Sequence, residues 1–97
     1  ITEAYPEFSE YLPWGPFYGV FVKADTDPAV IQTLSTAFET AYKDPTYQDV
    51  LKQFNINPMG LTGDSAKEFL KTWQVNTAEA LYKAGAITKS PEELGIK

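Results

Sequence analysis

The stretch Tyr18-Gly19-Val20-Phe21-Val22-Lys23 decides how the rest of the chain is read. Its β-branched and aromatic residues favour a strand, and it is apolar on both faces. That is the pattern of an interior strand covered by helices on each side of a parallel sheet. Gly19 marks close approach of another backbone or side chain. A lone strand leaves its own N–H and C=O groups unpaired, and the sequence supplies no clear second one. Asn55-Ile56-Asn57-Pro58 is the one internal competitor, and Pro58 confines it to an edge. The stretch therefore predicts pairing with a strand from outside a compact protomer. The source would be upstream strands of a longer protein or a second copy in a strand-paired homodimer.

Downstream, the sequence reads as helices. Thr26-Asp27-Pro28 is a helix start, with Asp27 as cap and Pro28 at the first helical position, where its missing N–H does no harm. Val30, Ile31, Leu34, Phe38 and Ala41 then follow helical spacing. Asp44-Pro45 repeats the device for a second helix with Tyr47, Val50, Leu51 and Phe54 on its core face, and Asn55–Pro58 ends it. Gly60 to Gly63 is a turn. Ser65 and Glu68 have capping-box spacing, with Thr62 as an alternative cap. A long helix runs to about Ala84 with Phe69, Leu70, Trp73, Ala80 and Leu81 on one stripe, which makes Phe69 and Trp73 core residues. Gly85 sits where a left-handed cap is wanted. Ser90-Pro91-Glu92-Glu93 opens a short terminal helix ended by Gly95, too short to stand without docking.

Upstream, residues 1–17 read as a connecting or hinge segment, and residues 18–97 as part of one α/β lobe. Pro6, Pro13, Gly15 and Pro16 oppose a regular helix or a central strand there. Tyr5, Phe8, Tyr11, Trp14 and Phe17 recur every third residue, which fits an extended polyproline-like path or a chain lying along a groove. Packing of these rings on a neighbouring surface is the plain reading, and ligand stacking is the sharper one.

Composition narrows the function. The chain has 97 residues, 43% hydrophobic and 14% aromatic, which is globular rather than disordered. Its net charge is −5, no arginine is present, and the lysines are scattered singly. Nucleic acid and anionic lipid both require a basic patch, so neither is expected as a partner. Without cysteine there is no disulfide, thiolate metal site or Cys nucleophile. Without histidine as well, most catalytic constellations are closed. No serine lies in Gly-x-Ser-x-Gly. The carboxylate pairs Asp25/Asp27 and Glu92/Glu93 sit at helix starts, where the helix dipole favours negative charge. No EF-hand, phosphate loop or dinucleotide pattern occurs. The expectation is a non-enzyme with no catalytic residue, metal or cofactor. No apolar run approaches the length of a membrane span, and the start at Ile1 reads as a cut from a longer sequence.

The order of these pieces resembles a family. Thr2-Glu3-Ala4-Tyr5-Pro6, then Trp14-Gly15-Pro16-Phe17-Tyr18-Gly19-Val20-Phe21-Val22, then Lys23-Ala24-Asp25-Thr26-Asp27-Pro28, are similar to consecutive motifs of the extracytoplasmic (Bug) solute receptors of tripartite tricarboxylate transporters. The helix pair from Leu34 to Tyr42 and from Asp44-Pro45, the Met59-Gly60 turn, the Phe69–Trp73 helix and the Lys83-Ala84-Gly85 ending continue the match. The resemblance spans this chain and corresponds to the last third of such a receptor. Two departures occur: the glycine usual before the tyrosine-proline pair is missing between Ala4 and Tyr5, and the tail after Gly85 is longer than in many members.

The resemblance implies an α/β fold: the C-terminal part of a receptor like the type II periplasmic binding proteins, with one main strand, three helices and a short terminal helix. It implies a periplasmic protein that captures a small organic carboxylate in a hinged two-domain trap and hands it to membrane permease subunits. The family's principal ligand loops lie upstream of these residues. Within the chain, Trp14, Gly15, Phe17 and Tyr18 follow the last interdomain crossover and are the candidate ligand-binding residues. The competing reading is a stand-alone helical interaction module that adds a strand to a partner's sheet.

Overall fold

The computed structural model of the chain describes residues 2–12 and 14–97. Ile1 and Pro13, read above as the cut start and as part of the connecting segment, lie outside them. The described residues form a 3-10 helix, Pro6–Tyr11, and three α-helices: α1 (Pro28–Tyr42), α2 (Pro45–Gln53) and α3 (Gly63–Lys83). The chain divides into two compact units, one made of Ile1–Phe17 with Asp64–Lys97, the other of Tyr18–Gly63.

The fold class expected from sequence is overturned. No strand or sheet occurs among the described residues: their regular elements are all helical, not α/β. Residues 18–23 lie outside any helix or ladder, with Tyr18 83% and Val20 81% exposed. The reason is pairing. β-propensity describes how side chains suit a pleated surface, but a strand exists only when a neighbour completes its hydrogen bonds. Asn55–Pro58 does not become that neighbour, because Asn55 takes the left-handed conformation at the end of α2.

The helix starts follow the local chemistry. The Asp27 carboxylate accepts from Ala29 N–H at 2.7 Å, and that of Asp44 from Thr46 N–H at 2.8 Å and Tyr47 N–H at 3.4 Å. Pro28 and Pro45 each occupy the first helical position. For α3, the start at Gly63 puts Thr62, not Ser65, just before the helix, and the Thr62 hydroxyl donates to the Glu39 carboxylate at 3.3 Å.

Three endings share one geometry. After α2, Asn55 at φ 53° allows Ile56 N–H to reach Leu51 O at 2.8 Å and Asn55 N–H to reach Lys52 O at 3.1 Å. After α3, Gly85 at φ 72° allows Ala86 N–H to reach Leu81 O at 2.9 Å and Gly85 N–H to reach Tyr82 O at 3.0 Å. These crossed bonds are Schellman caps. The expected terminal helix is the third case and corrects the sequence reading. Ser90 and Glu93 do form the reciprocal box, with Ser90 N–H donating to Glu93 Oε2 at 2.8 Å and Glu93 N–H to Ser90 Oγ at 3.3 Å. The same crossed pattern closes at once, Ile96 N–H to Pro91 O at 2.9 Å and Gly95 N–H to Glu92 O at 3.0 Å. Start and stop signals are so close that only a turn fits between them.

The connecting segment also differs from expectation. Pro6 opens the 3-10 helix rather than forbidding one, because the first helical position needs no N–H. The threefold aromatic spacing suits three residues per turn in a 3-10 helix as well as in a polyproline helix. Tyr5 meets Phe8 edge-on with ring centroids 5.8 Å apart, and Phe8 lies 6.5 Å from Tyr11.

Each unit has a small interior. In the Tyr18–Gly63 unit, Leu51 is 7% exposed and Tyr42 is the hub. Tyr42 stacks on Phe38 at 6.1 Å and meets Tyr47 edge-on at 6.5 Å. Its ring covers Gly60 so closely that a Cβ there would sit 2.7 Å from it. The Gln48 amide donates to Tyr42 O and ties α2 back to the end of α1. In the other unit Ala78 is the buried residue, 7% exposed, and Phe69 and Trp73 are half-buried rather than enclosed.

Candidate functional site

The candidate ligand segment, Trp14 to Tyr18, is divided by the fold. Gly15 and Phe17 are fastened to α3. The Trp73 indole N–H donates to Gly15 O at 2.8 Å. The Phe17 ring meets Trp73 edge-on at 5.0 Å and Phe69 edge-on at 6.1 Å. One turn along α3, the Asn76 side-chain amide donates to Leu12 O at 2.7 Å. Residues Leu12 and Trp14–Phe17 thus lie as a strap along α3. The strap leaves Trp14 61% exposed.

Gly15 has φ 128°, a conformation L side chains rarely adopt, and nothing lies within 4 Å of where a Cβ would stand. Glycine is needed there for the backbone angle, not for room. Tyr18 is the first residue of the other unit and is exposed. Of the four candidates, two are spent on holding the strap and two present aromatic surface.

Of the residues that organise this segment, sequence reasoning assigns Trp73 to the core and does not single out Asn76. Trp73 was placed in the core on its stripe, which describes its ring but omits its N–H. The available signal was a polar amide three residues after a Trp on one helix face, since i and i+3 are neighbours there. The partners, 58 and 64 residues away, could not be read from spacing.

Charge around the strap is sparse. Between Glu10 and Asp25 the only charged residue is Lys23. At the strap's upstream end, Lys83 Nζ lies 5.7 Å from the centre of the Tyr11 ring. A hydrogen bond to the Glu10 carboxylate, with that group's negative charge, holds the Tyr11 hydroxyl above its ordinary pKa.

Other surfaces offer less chemistry. The N-termini of α1 and α2 are closed by their own Asp27 and Asp44 carboxylates, so their first N–H groups already have an anion. The open face of α1 carries Thr33, Thr36 and Thr40. Their hydroxyls donate to the carbonyls of Ala29, Gln32 and Thr36 at 2.9, 3.0 and 2.9 Å. No group of three or more metal-binding side chains is clustered among the described residues, and none of their helices is long and apolar enough to cross a membrane.

No known family model matches the chain, and no curated protein or solved structure is similar enough to count as a match.

Proposed function

We propose that the chain is the C-terminal part of one lobe of an extracytoplasmic solute receptor that captures a small carboxylate for a tripartite tricarboxylate transporter, and that it does no chemistry itself. The observation that carries the proposal is the exposed apolar surface of Tyr18, Val20 and Val22, next to well-capped helices. So much exposed apolar surface asks for cover, and in a receptor lobe the cover would come from the rest of the protein. The ordered motifs from Thr2 to Gly85 support the same reading.

With α1 and α2 closed by their own carboxylates, a ligand anion would be met by main-chain N–H groups and ordered water elsewhere in the cleft. From this chain the exposed aromatic surface of the Trp14–Tyr18 segment would border the ligand. The permease subunits would be the membrane partner, and the periplasm the compartment.

The test is to express the complete reading frame that encodes the chain and screen it by thermal shift against dicarboxylates, tricarboxylates, aromatic acids and amino acids. A true ligand at 100 times its Kd raises stability by about 2.7 kcal/mol. A reading frame without upstream βα units, together with no shift from any acid, would overturn the proposal. The exposed segment also favours a second reading, a helical module whose residues 18–23 add a strand to a partner's sheet. That reading is supported if the complete protein has no sheet of its own.

A further inference from the structure

We infer that Trp73 and Asn76 are positioning residues that hold the strap and thereby set the placement of Trp14 against a bound carboxylate; the ligand part of this inference rests on the receptor reading above. The two side chains are neighbours on one face of α3. Each uses its polar edge on a main-chain carbonyl of the strap, Trp73 on Gly15 O at 2.8 Å and Asn76 on Leu12 O at 2.7 Å. The two carbonyls bracket Trp14 on its N-terminal and C-terminal sides. Trp73 has a second hold, because its ring receives Phe17 edge-on at 5.0 Å.

The backbone is shaped for this arrangement. Gly15 sits at φ 128° with open space around it, so the residue is there to adopt that angle and not to avoid a clash. A mere packing role for Trp73 would need only the ring. The N–H aimed at Gly15 O is the feature that packing does not account for. A strap fixed on both sides of an exposed indole leaves Trp14 little freedom beyond its own side-chain torsions. Such pre-organisation reduces the ordering cost of binding.

The experiment uses the complete protein that contains the chain, with Trp73→Phe and Asn76→Ala as variants. The first measurement is 15N relaxation at the backbone amides of Trp14, Gly15 and Phe17, read as conformational exchange of the strap. We expect exchange to rise in Trp73→Phe and less in Asn76→Ala, with α3 amides unchanged, because each variant frees one strap carbonyl from α3. The second is calorimetry with benzoate, succinate, citrate and glutamate as probes. The acid that binds wild type should bind Trp73→Phe about tenfold more weakly, at temperatures where both are fully folded.

Unchanged exchange and unchanged affinity in both variants would overturn the inference and leave Trp73 as packing. If Trp73→Phe fails to fold, Asn76→Ala decides alone, since Asn76 makes its bond at an exposed position. If wild type binds none of the four acids, the ligand part of the inference fails with the receptor reading for these ligands, while the exchange measurement still decides whether the two side chains hold the strap.

Discussion

Phe17 and Tyr18 are adjacent in sequence and opposite in circumstance. Phe17 belongs to the unit built on α3 and touches two aromatic rings there, while Tyr18 opens the other unit and is 83% exposed. Both are large aromatics in one apolar run. The difference is that α3 supplies a complementary surface for the strap, with ring edges for Phe17 and donors for the Leu12 and Gly15 carbonyls, whereas residues 18–23 meet no ladder. Hydrophobic character creates a demand for cover. Cover also requires that the main chain be satisfied at the same place.

The largest expected effect breaks the favoured side of that comparison. Trp73→Ala removes the ring under Phe17 and orphans Gly15 O, and should cost about 2–4 kcal/mol, somewhat below the value for a fully buried Trp. Urea denaturation followed by helical circular dichroism measures it. A loss under about 0.5 kcal/mol would show that the strap is not held by α3.

Gly60→Ala tests the interior of the other unit. The new Cβ would lie 2.7 Å from the Tyr42 ring at a φ of 61°, so strain and crowding act together. The expected cost is about 1–2 kcal/mol by the same assay. Gly63→Ala is the control, because its φ is 54° with nothing within 4 Å; it should cost less.

Asp44→Ala should remove about 1 kcal/mol, and Asp27→Ala slightly less, because Asp44 accepts two N–H bonds and Asp27 one. Thermal melts of the two variants rank them. The reverse order would mean that cap strength is set by something other than the bonds made.

Val20→Thr sharpens the comparison most directly. In the chain by itself the change should cost under about 0.5 kcal/mol, since Val20 is 81% exposed. In the complete protein, where the rest of the chain covers the segment, it should cost about 1–2 kcal/mol. Equal small effects in both would remove the case for cover by the rest of the protein.

What could be read from the sequence follows the range of each interaction. The Asp-Pro starts at residues 27–28 and 44–45 were legible because cap, proline and accepted N–H lie within three residues. Gly85 was legible as a stop for the same reason. The 3-10 helix at Pro6–Tyr11 was misread because a period of three belongs to two backbone geometries, and the rings alone do not choose between them. The strand was misread because its existence depends on a partner that no local pattern contains. In the candidate segment, sequence singled out the four residues Trp14, Gly15, Phe17 and Tyr18. It did not separate those that are fastened from those that face outward, because the fasteners Trp73 and Asn76 stand far along the chain.

The exposed run at residues 18–23 bears on the chain's colloidal behaviour. A six-residue window with four β-branched or aromatic residues, one glycine, one charge and no proline is the kind that stacks into fibrils when left uncovered. Pro16 on one side and Lys23 with Asp25 on the other then act as gatekeepers, since proline cannot join a ladder and like charges repel in register. Replacing Lys23 by Gln should shorten the lag of thioflavin-monitored assembly, and an unchanged lag would show that the window is shielded. The residue that closes the apolar run would therefore also set how concentrated the chain can become before it meets itself.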